Sequence, residues 1–92
     1  MLNIIKVVDN SMLPILKPEA FALVRATWLK KLEVGDIVIV NHLIFGAIIK
    51  RLVHIGYYYG HNIAGDNPHS VSTGELGKIW SCDVVGVVLF HT

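Results

Sequence analysis

The stretch that decides the fold is residues 34–42, which read Val-Gly-Asp-Ile-Val-Ile-Val-Asn-His. Four β-branched residues in a row are typical of a buried or half-buried strand, which we expect over Asp36–His42 after the turn Glu33–Asp36. An isoleucine-rich run follows from Phe45 to Ile55 and ends at Gly56. The centre of the chain therefore predicts two successive strands.

Short β-rich segments continue in both directions from this centre. The further predicted strands are Asn3–Val8, Ala20–Ala26, Tyr57–Ala64 (the hairpin partner of the isoleucine-rich run) and Val84–Phe90. Only Leu13–Lys17 and Ala26–Leu32 would tolerate a helix, and both are short. The longest segment without strand character is Gly65–Gly77, and a polar loop of that length usually serves a function. The pattern predicts a mostly-β fold.

Composition restricts the domain organisation and the partners. The 92 residues predict a single domain over residues 1–92, and a hydrophobic fraction of 53% with 16% charged residues excludes disorder. The net charge is +1 with no basic run, so we expect no nucleic-acid partner. The one cysteine, Cys82, excludes an intrachain disulfide. No segment predicts a signal peptide or a transmembrane helix, so we expect a cytoplasmic protein.

Two residues are candidates for chemistry. Ser11 follows a predicted strand, although an ordinary turn serine explains the hexapeptide Asp9–Pro14 better when it is taken alone. In an extended strand Lys50 shares a face with Ile48 and Leu52, which predicts an apolar setting. Burial disfavours an ammonium, and this is how a lysine becomes the base for a serine nucleophile. The alternative for Lys50 is a sheet-edge lysine with its amine in water.

The histidines allow other readings of the site. A Ser/His/Asp set would combine Ser11 or Ser70 with His54 and Asp66, but no Gly-x-Ser-x-Gly motif is present. The histidines and the cysteine show no paired spacing of zinc ligands. We therefore expect no metal and no cofactor, and we expect the histidines to be partly exposed residues of strands and loops.

Taken together, four segments resemble the type I signal peptidase family and its relatives, which include the LexA-type self-cleaving repressor domains. Asn10–Pro14 is similar to the Ser-Met-x-Pro box, and Val34–Val40 to the Gly-Asp-Ile-Val strand that follows it. Ile49–Leu52 resembles the Lys-Arg box, and Gly65–Gly77 the Gly-Asp-Asn box with its closing glycine. Each box alone is weak, but four in the family's order make a strong signal.

The resemblance implies a fold of coiled antiparallel β-sheets with little helix, and it implies a serine endopeptidase. Ser11 would attack the scissile carbonyl, and Lys50 would take its proton. The backbone N–H of Ser11 would help to form the oxyanion hole, which stabilises the tetrahedral intermediate. Ser70 would orient the lysine amine, while Asp66 and Asn67 would support the loop.

The chain departs from the family at two points. Asp9 stands where many bacterial signal peptidases have a serine as a second oxyanion donor, which leaves Asn10 as the candidate replacement. Ser72–Gly74 stands, with a gap of one residue, in place of the family's Asp-Ser-Arg. The usual ion pair of this loop is therefore missing, and the choice of Ser70 over Ser72 as the orienting hydroxyl depends on the position of the gap.

The length of the chain suggests a short form. We expect neither the membrane anchor nor the accessory β-domain of housekeeping signal peptidases, and the chain resembles the anchor-less proteases that trim an N-terminal leader from nickel-type superoxide dismutase. The expected partner is an extended polypeptide bound by strand addition. The same apolar surface would support a homodimer or peripheral contact with a membrane.

Two alternatives to the peptidase remain open. Asp9 and the altered loop favour a catalytically impaired domain that binds peptides. A self-cleaving repressor fragment would need a DNA-binding domain before residue 1 and an exposed cleavage segment, and we expect neither.

Overall fold

The computed structural model describes residues 2–7, 12–26, 31–67 and 73–92. The strands are β1 Leu2–Lys6, β2 Phe21–Arg25, β3 Ile37–His42, β4 Gly46–His54, β5 His61–Ala64, β6 Lys78–Ile79 and β7 Val84–His91. They form a seven-stranded sheet in the order β1-β2-β7-β3-β4-β5-β6, and every neighbouring pair is antiparallel. The prediction of a mostly-β fold is confirmed.

The central hairpin follows the sequence pattern closely. β3 and β4 pair from Ile37 opposite Arg51 to His42 opposite Gly46, and Val38 lies opposite Lys50. Phe45, predicted as the first residue of the second strand, instead belongs to the turn. Gly46 has a φ of +74°, a conformation that glycine adopts readily, and β4 begins there.

The structure shortens one predicted strand. Tyr57–Tyr59 form a turn, which the N–H of Gly60 closes by donating to the carbonyl oxygen of Gly56 at 2.8 Å, so β5 begins only at His61. Tyrosine favours strands, but an antiparallel return requires residues for the turn. The prediction of a strand over Tyr57–Ala64 was therefore too long.

The helix in the structure does not lie where the sequence would tolerate one. Residues 13–17 lie in a turn, in which the N–H of Leu16 donates to the carbonyl oxygen of Met12 at 2.9 Å. Residues 27–30 of the second predicted helix lie outside the described part of the chain. One helical turn, α1 (Thr73–Leu76), lies in the segment predicted as a loop. No helix within the described ranges is long and apolar enough to cross a membrane.

Alternation along β3 and β4 divides the buried side chains between the two faces of the sheet. One cluster, here the front cluster, consists of Val38, Val40, Leu52, Ile63, Leu76, Ile79, Val84 and Val87. The other, here the back cluster, consists of Val7, Met12, Leu16, Ile37 and Ile49. The sheet is thus covered on both faces where β3 and β4 carry the predicted site.

Candidate functional site

Lys50 lies in the middle of β4 and is 4% exposed. It pairs with Val38 of β3, and alternation places its side chain on the same face as Ile48 and Leu52, as the sequence predicted. Val38 and Leu52 are fully buried in the front cluster. The alternative of a sheet-edge lysine with its amine in water is wrong, because β4 is an interior strand and the residue is closed off from solvent.

Arg51, the next residue, makes an ion pair with Asp66. Its Nε donates to Oδ1 of Asp66 at 2.9 Å, and its second terminal nitrogen donates to Oδ2 at 2.8 Å. The remaining terminal nitrogen donates to the carbonyl oxygen of Gly35 at 2.7 Å. The hydrogen bonds with Asp66 raise the pKa of Arg51 above its ordinary value, outweighing the opposite effect of burial.

One guanidinium therefore joins three of the four family-like segments. Gly35 belongs to the turn before β3, Arg51 to the lysine-bearing strand, and Asp66 to the Gly-Asp-Asn segment. Backbone bonds strengthen the first of these connections: the N–H of Gly35 donates to Leu52 at 2.7 Å, and the N–H of Leu52 donates to Asp36 at 2.8 Å. A bidentate contact also fixes the orientation of the loop, which a single bond would not.

The Gly-Asp-Asn segment leaves the sheet beside Lys50. β4 and β5 pair as far as Arg51 opposite Ala64, and β5 ends there. The chain then continues into Asp66 and Asn67, both half-buried. The sequence predicted that these two residues support the loop. Although the family's own loop charges are absent, the contact between Asp66 and Arg51 fastens this side of the loop.

The Ser-Met-x-Pro segment is described only from Met12 onward. Ser11, Ser70, Asp9 and Asn10, which include the predicted nucleophile, orienting hydroxyl and replacement donor, lie outside the described residues, as does Ser72. Met12 is fully buried in the back cluster with Ile37 and Ile49. Ile49 precedes Lys50 in β4, so this segment packs against the lysine-bearing strand, but on the face opposite to that of the Lys50 side chain.

A cleft lies between the strand that leads toward Ser11 and the strand that carries Lys50. Its volume is about 230 Å³, and its lining residues are Ile5, Lys6, Val7, Ile39, Ala47, Ile48 and Ile49. Six of the seven side chains are apolar, and the seventh, Lys6, is paired with Glu19. The cleft suits the apolar side chains of an extended peptide.

The Ser/His/Asp alternative finds no support among the residues that the structure describes. Asp66 is bound to Arg51, and His54 is exposed at the end of β4. No group of three potential metal ligands occurs within the described part of the chain.

His61 of β5 is a buried polar residue that the sequence analysis missed. It is 1% exposed, although the histidines were predicted to be partly exposed. Nδ1 accepts the N–H of Gly56 at 3.1 Å, so Nε2 carries the proton and donates to Oγ of Ser81 at 2.8 Å. This histidine therefore cannot take a proton from Ser81. Its alternation with the buried Ile63 in β5 was the available signal.

The chain is similar to a known protein family. The family model described as Peptidase S24-like matches residues 2–89, nearly the whole chain. No curated protein matches it.

Proposed function

Since the chain belongs to the Peptidase S24-like family, we propose that it is a serine endopeptidase in which Ser11 is the nucleophile and Lys50 the general base. The observation that supports this most directly is the enclosure of Lys50, which is 4% exposed on an interior strand beside the Gly-Asp-Asn segment. Enclosure in apolar surroundings favours a neutral amine, the form that can accept a proton.

The proposed reaction proceeds through an acyl-enzyme. Lys50 Nζ takes the proton of the Ser11 hydroxyl while Oγ attacks the scissile carbonyl, and the backbone N–H of Ser11 stabilises the resulting oxyanion. Lys50 then gives the proton to the leaving amine. Water hydrolyses the ester with Lys50 again as the base. In this scheme Ser70 orients the amine, and Asn10 supplies the second oxyanion donor in place of Asp9.

The substrate we propose is an extended polypeptide, and specifically the N-terminal leader of a protein. The apolar cleft between Val7 and Ile49 supports an extended apolar segment as the ligand. The Gly-Asp-Asn-Pro form of its loop supports the comparison with proteases that trim the leader of nickel-type superoxide dismutase.

The experiment is cleavage of synthetic leader peptides by the purified protein, followed by mass spectrometry. We expect Ser11→Ala and Lys50→Met each to lower the rate by roughly a thousandfold or more. Lys17→Met removes an exposed lysine and should leave the rate unchanged. Equal rates for the wild type and Ser11→Ala would contradict the proposal.

A second candidate is a catalytically impaired domain that binds peptides. The opposite placement of Met12 and Lys50 on the two faces of β4 favours it, because a dyad requires Ser11 to reach the front face. In this case the wild type and Ser11→Ala would bind a leader peptide with equal affinity, and neither would cleave it. Isothermal titration calorimetry beside the cleavage assay separates the two functions.

A further inference from the structure

The turn between β3 and β4 presents three consecutive apolar side chains to solvent. Leu43 is 98% exposed, Ile44 76% and Phe45 46%. We name Leu43–Phe45 the β3–β4 tip. Exposed apolar residues are ordinary when they are scattered, but a contiguous group at the end of a hairpin indicates a surface that binds something.

A histidine holds the β3–β4 tip in shape. Nδ1 of His42 accepts the N–H groups of Ile44 at 3.1 Å and Phe45 at 3.2 Å. Nε2 therefore carries the proton, and it donates to the carbonyl oxygen of Leu76 at 2.7 Å. The imidazole also contacts the Phe45 ring, with the centroids 5.1 Å apart. The backbone of the turn is thus held in one conformation before it meets a partner, which lowers the entropic cost of binding.

The surroundings of the tip include further apolar and aromatic side chains beside four polar residues, Asn41, His42, Lys78 and Asp83. A cavity of about 420 Å³ separates Leu43 and Ile44 from Trp80, which is 45% exposed, and Leu76 and Ile79 are among the residues that line it. The one acidic side chain that lines this cavity in the described residues, Asp83, accepts the N–H of Trp80 at 2.9 Å. Tryptophan is the residue most typical of the boundary between hydrocarbon and water.

We propose that the β3–β4 tip inserts into the interfacial layer of a lipid bilayer, with Trp80 at the level of the headgroups. A second protein is a poor fit, because a standard interface buries roughly 800 Å² and 20 to 30 residues on each side. A hairpin end with three apolar residues offers far less. Insertion into lipid instead gains free energy from each apolar side chain and needs no complementary surface.

Docking would bring the cleft close to the membrane. β4 leads from the tip through Ala47, Ile48 and Ile49, which line the cleft, to Lys50. Lys50 lies four residue steps along the strand from Gly46, a distance of about 13 Å. A peptide segment that leaves the bilayer next to the tip would therefore meet the cleft directly.

The test is flotation of the full chain with phosphatidylcholine vesicles. We expect the wild type to float, and we expect Leu43→Ser/Ile44→Ser to lower the partition coefficient by roughly tenfold or more. Both side chains face solvent, so the fold should survive, and thermal unfolding checks this. The matched control is Ile4→Ser/Phe90→Ser, which removes two apolar residues, each 72% exposed, on β1 and β7 and should leave flotation unchanged.

Three results would overturn the proposal. The wild type could fail to float, the tip variant could float as well as the wild type, or the control alone could lose binding, which would assign the contact to β1 and β7. Loss of self-association in the tip variant during sedimentation, without vesicle binding by the wild type, would identify a second copy of the chain as the occupant instead. Flotation does not involve cleavage, so its result is independent of the proposed peptidase activity.

Discussion

Lys50 and Arg51 are neighbours on β4, but their side chains lie on opposite faces of the strand and in different surroundings. Lys50 is enclosed beside Ile48 and Leu52 and is 4% exposed. The side chain of Arg51 is 30% exposed and meets a carboxylate and a carbonyl oxygen through three hydrogen bonds. The comparison separates two uses of a basic residue. The front face encloses the side chain of Lys50, as its proposed role as a general base requires, whereas Arg51 fastens loops together.

Replacing each residue with methionine tests this difference most directly. We expect Arg51→Met to lower the free energy of unfolding by about 2 to 3 kcal/mol, since it leaves Asp66 and Gly35 without their donor. Lys50→Met should lower it by less than Arg51→Met does, because methionine keeps the length of the buried stem and its packing beside Ile48 and Leu52. Urea unfolding followed by circular dichroism measures both.

A conservative variant tests the role of geometry at Arg51. Arg51→Lys keeps the charge but loses the planar fork, so it should recover less than half of the stability lost in Arg51→Met. If Lys50→Met proved as destabilising as Arg51→Met, the division of labour between the two faces would be wrong.

Local pattern was enough to predict the centre of the fold. The β-branched run 37–40 and the isoleucine-rich run after it indicated β3 and β4, and alternation placed Lys50 on the face of Ile48 and Leu52, although it left the sheet-edge alternative open. These properties depend on neighbours along one strand, which the sequence contains explicitly.

The contacts between segments were harder to predict. The partner of Arg51 depends on where β5 ends, because only that end brings Asp66 beside it. The enclosure of His61 depends on where β5 begins, and the tyrosines before it concealed that boundary. The roles of Ser11 and Ser70 stay predictions, since both residues lie outside the described part of the chain.

His61 is another buried basic residue, and its hydrogen bonds join it to Gly56 and Ser81. Burial lowers its pKa below the ordinary value of 6.5, and the charge of His54 lowers it further. The unfolded chain therefore binds this proton at a higher pH than the folded chain, so stability is full above pH 6.5 and is lost as the pH falls below it. The slope from one such group is at most about 1.4 kcal/mol per pH unit.

The variant His61→Asn should be less stable than the wild type at high pH but should show a flatter dependence below 6.5. Urea unfolding across this range measures the slope. His91→Asn, at an exposed position near the end of β7, should keep the wild-type slope. An unchanged slope in His61→Asn would assign the acid sensitivity to other groups.

The smallest expected effect concerns the ion pair between Lys6 and Glu19, which contrasts with that of Arg51. Its side chains are 50% and 72% exposed. A double-mutant cycle with alanine should give a coupling of less than about 0.5 kcal/mol that decreases with salt, because solvent screens exposed charges. A coupling as large as that between Arg51 and Asp66 would mean that exposure does not decide the strength of ion pairs in this protein.

The backbone of Glu19 should matter more than its charge. Its φ is +74°, in the left-handed region that glycine adopts more easily than other residues. Glu19→Gly and Glu19→Ala both remove the carboxylate, but only glycine relieves the backbone. We expect the glycine variant to be the more stable of the two, because it relieves the backbone. The difference should be only about 0.5 to 1 kcal/mol, since glycine's greater freedom in the unfolded chain offsets part of that relief. Thermal unfolding of the two variants tests this. An advantage for alanine would show that the turn, like the tip held by His42, draws its conformation from contacts and not from the residue itself.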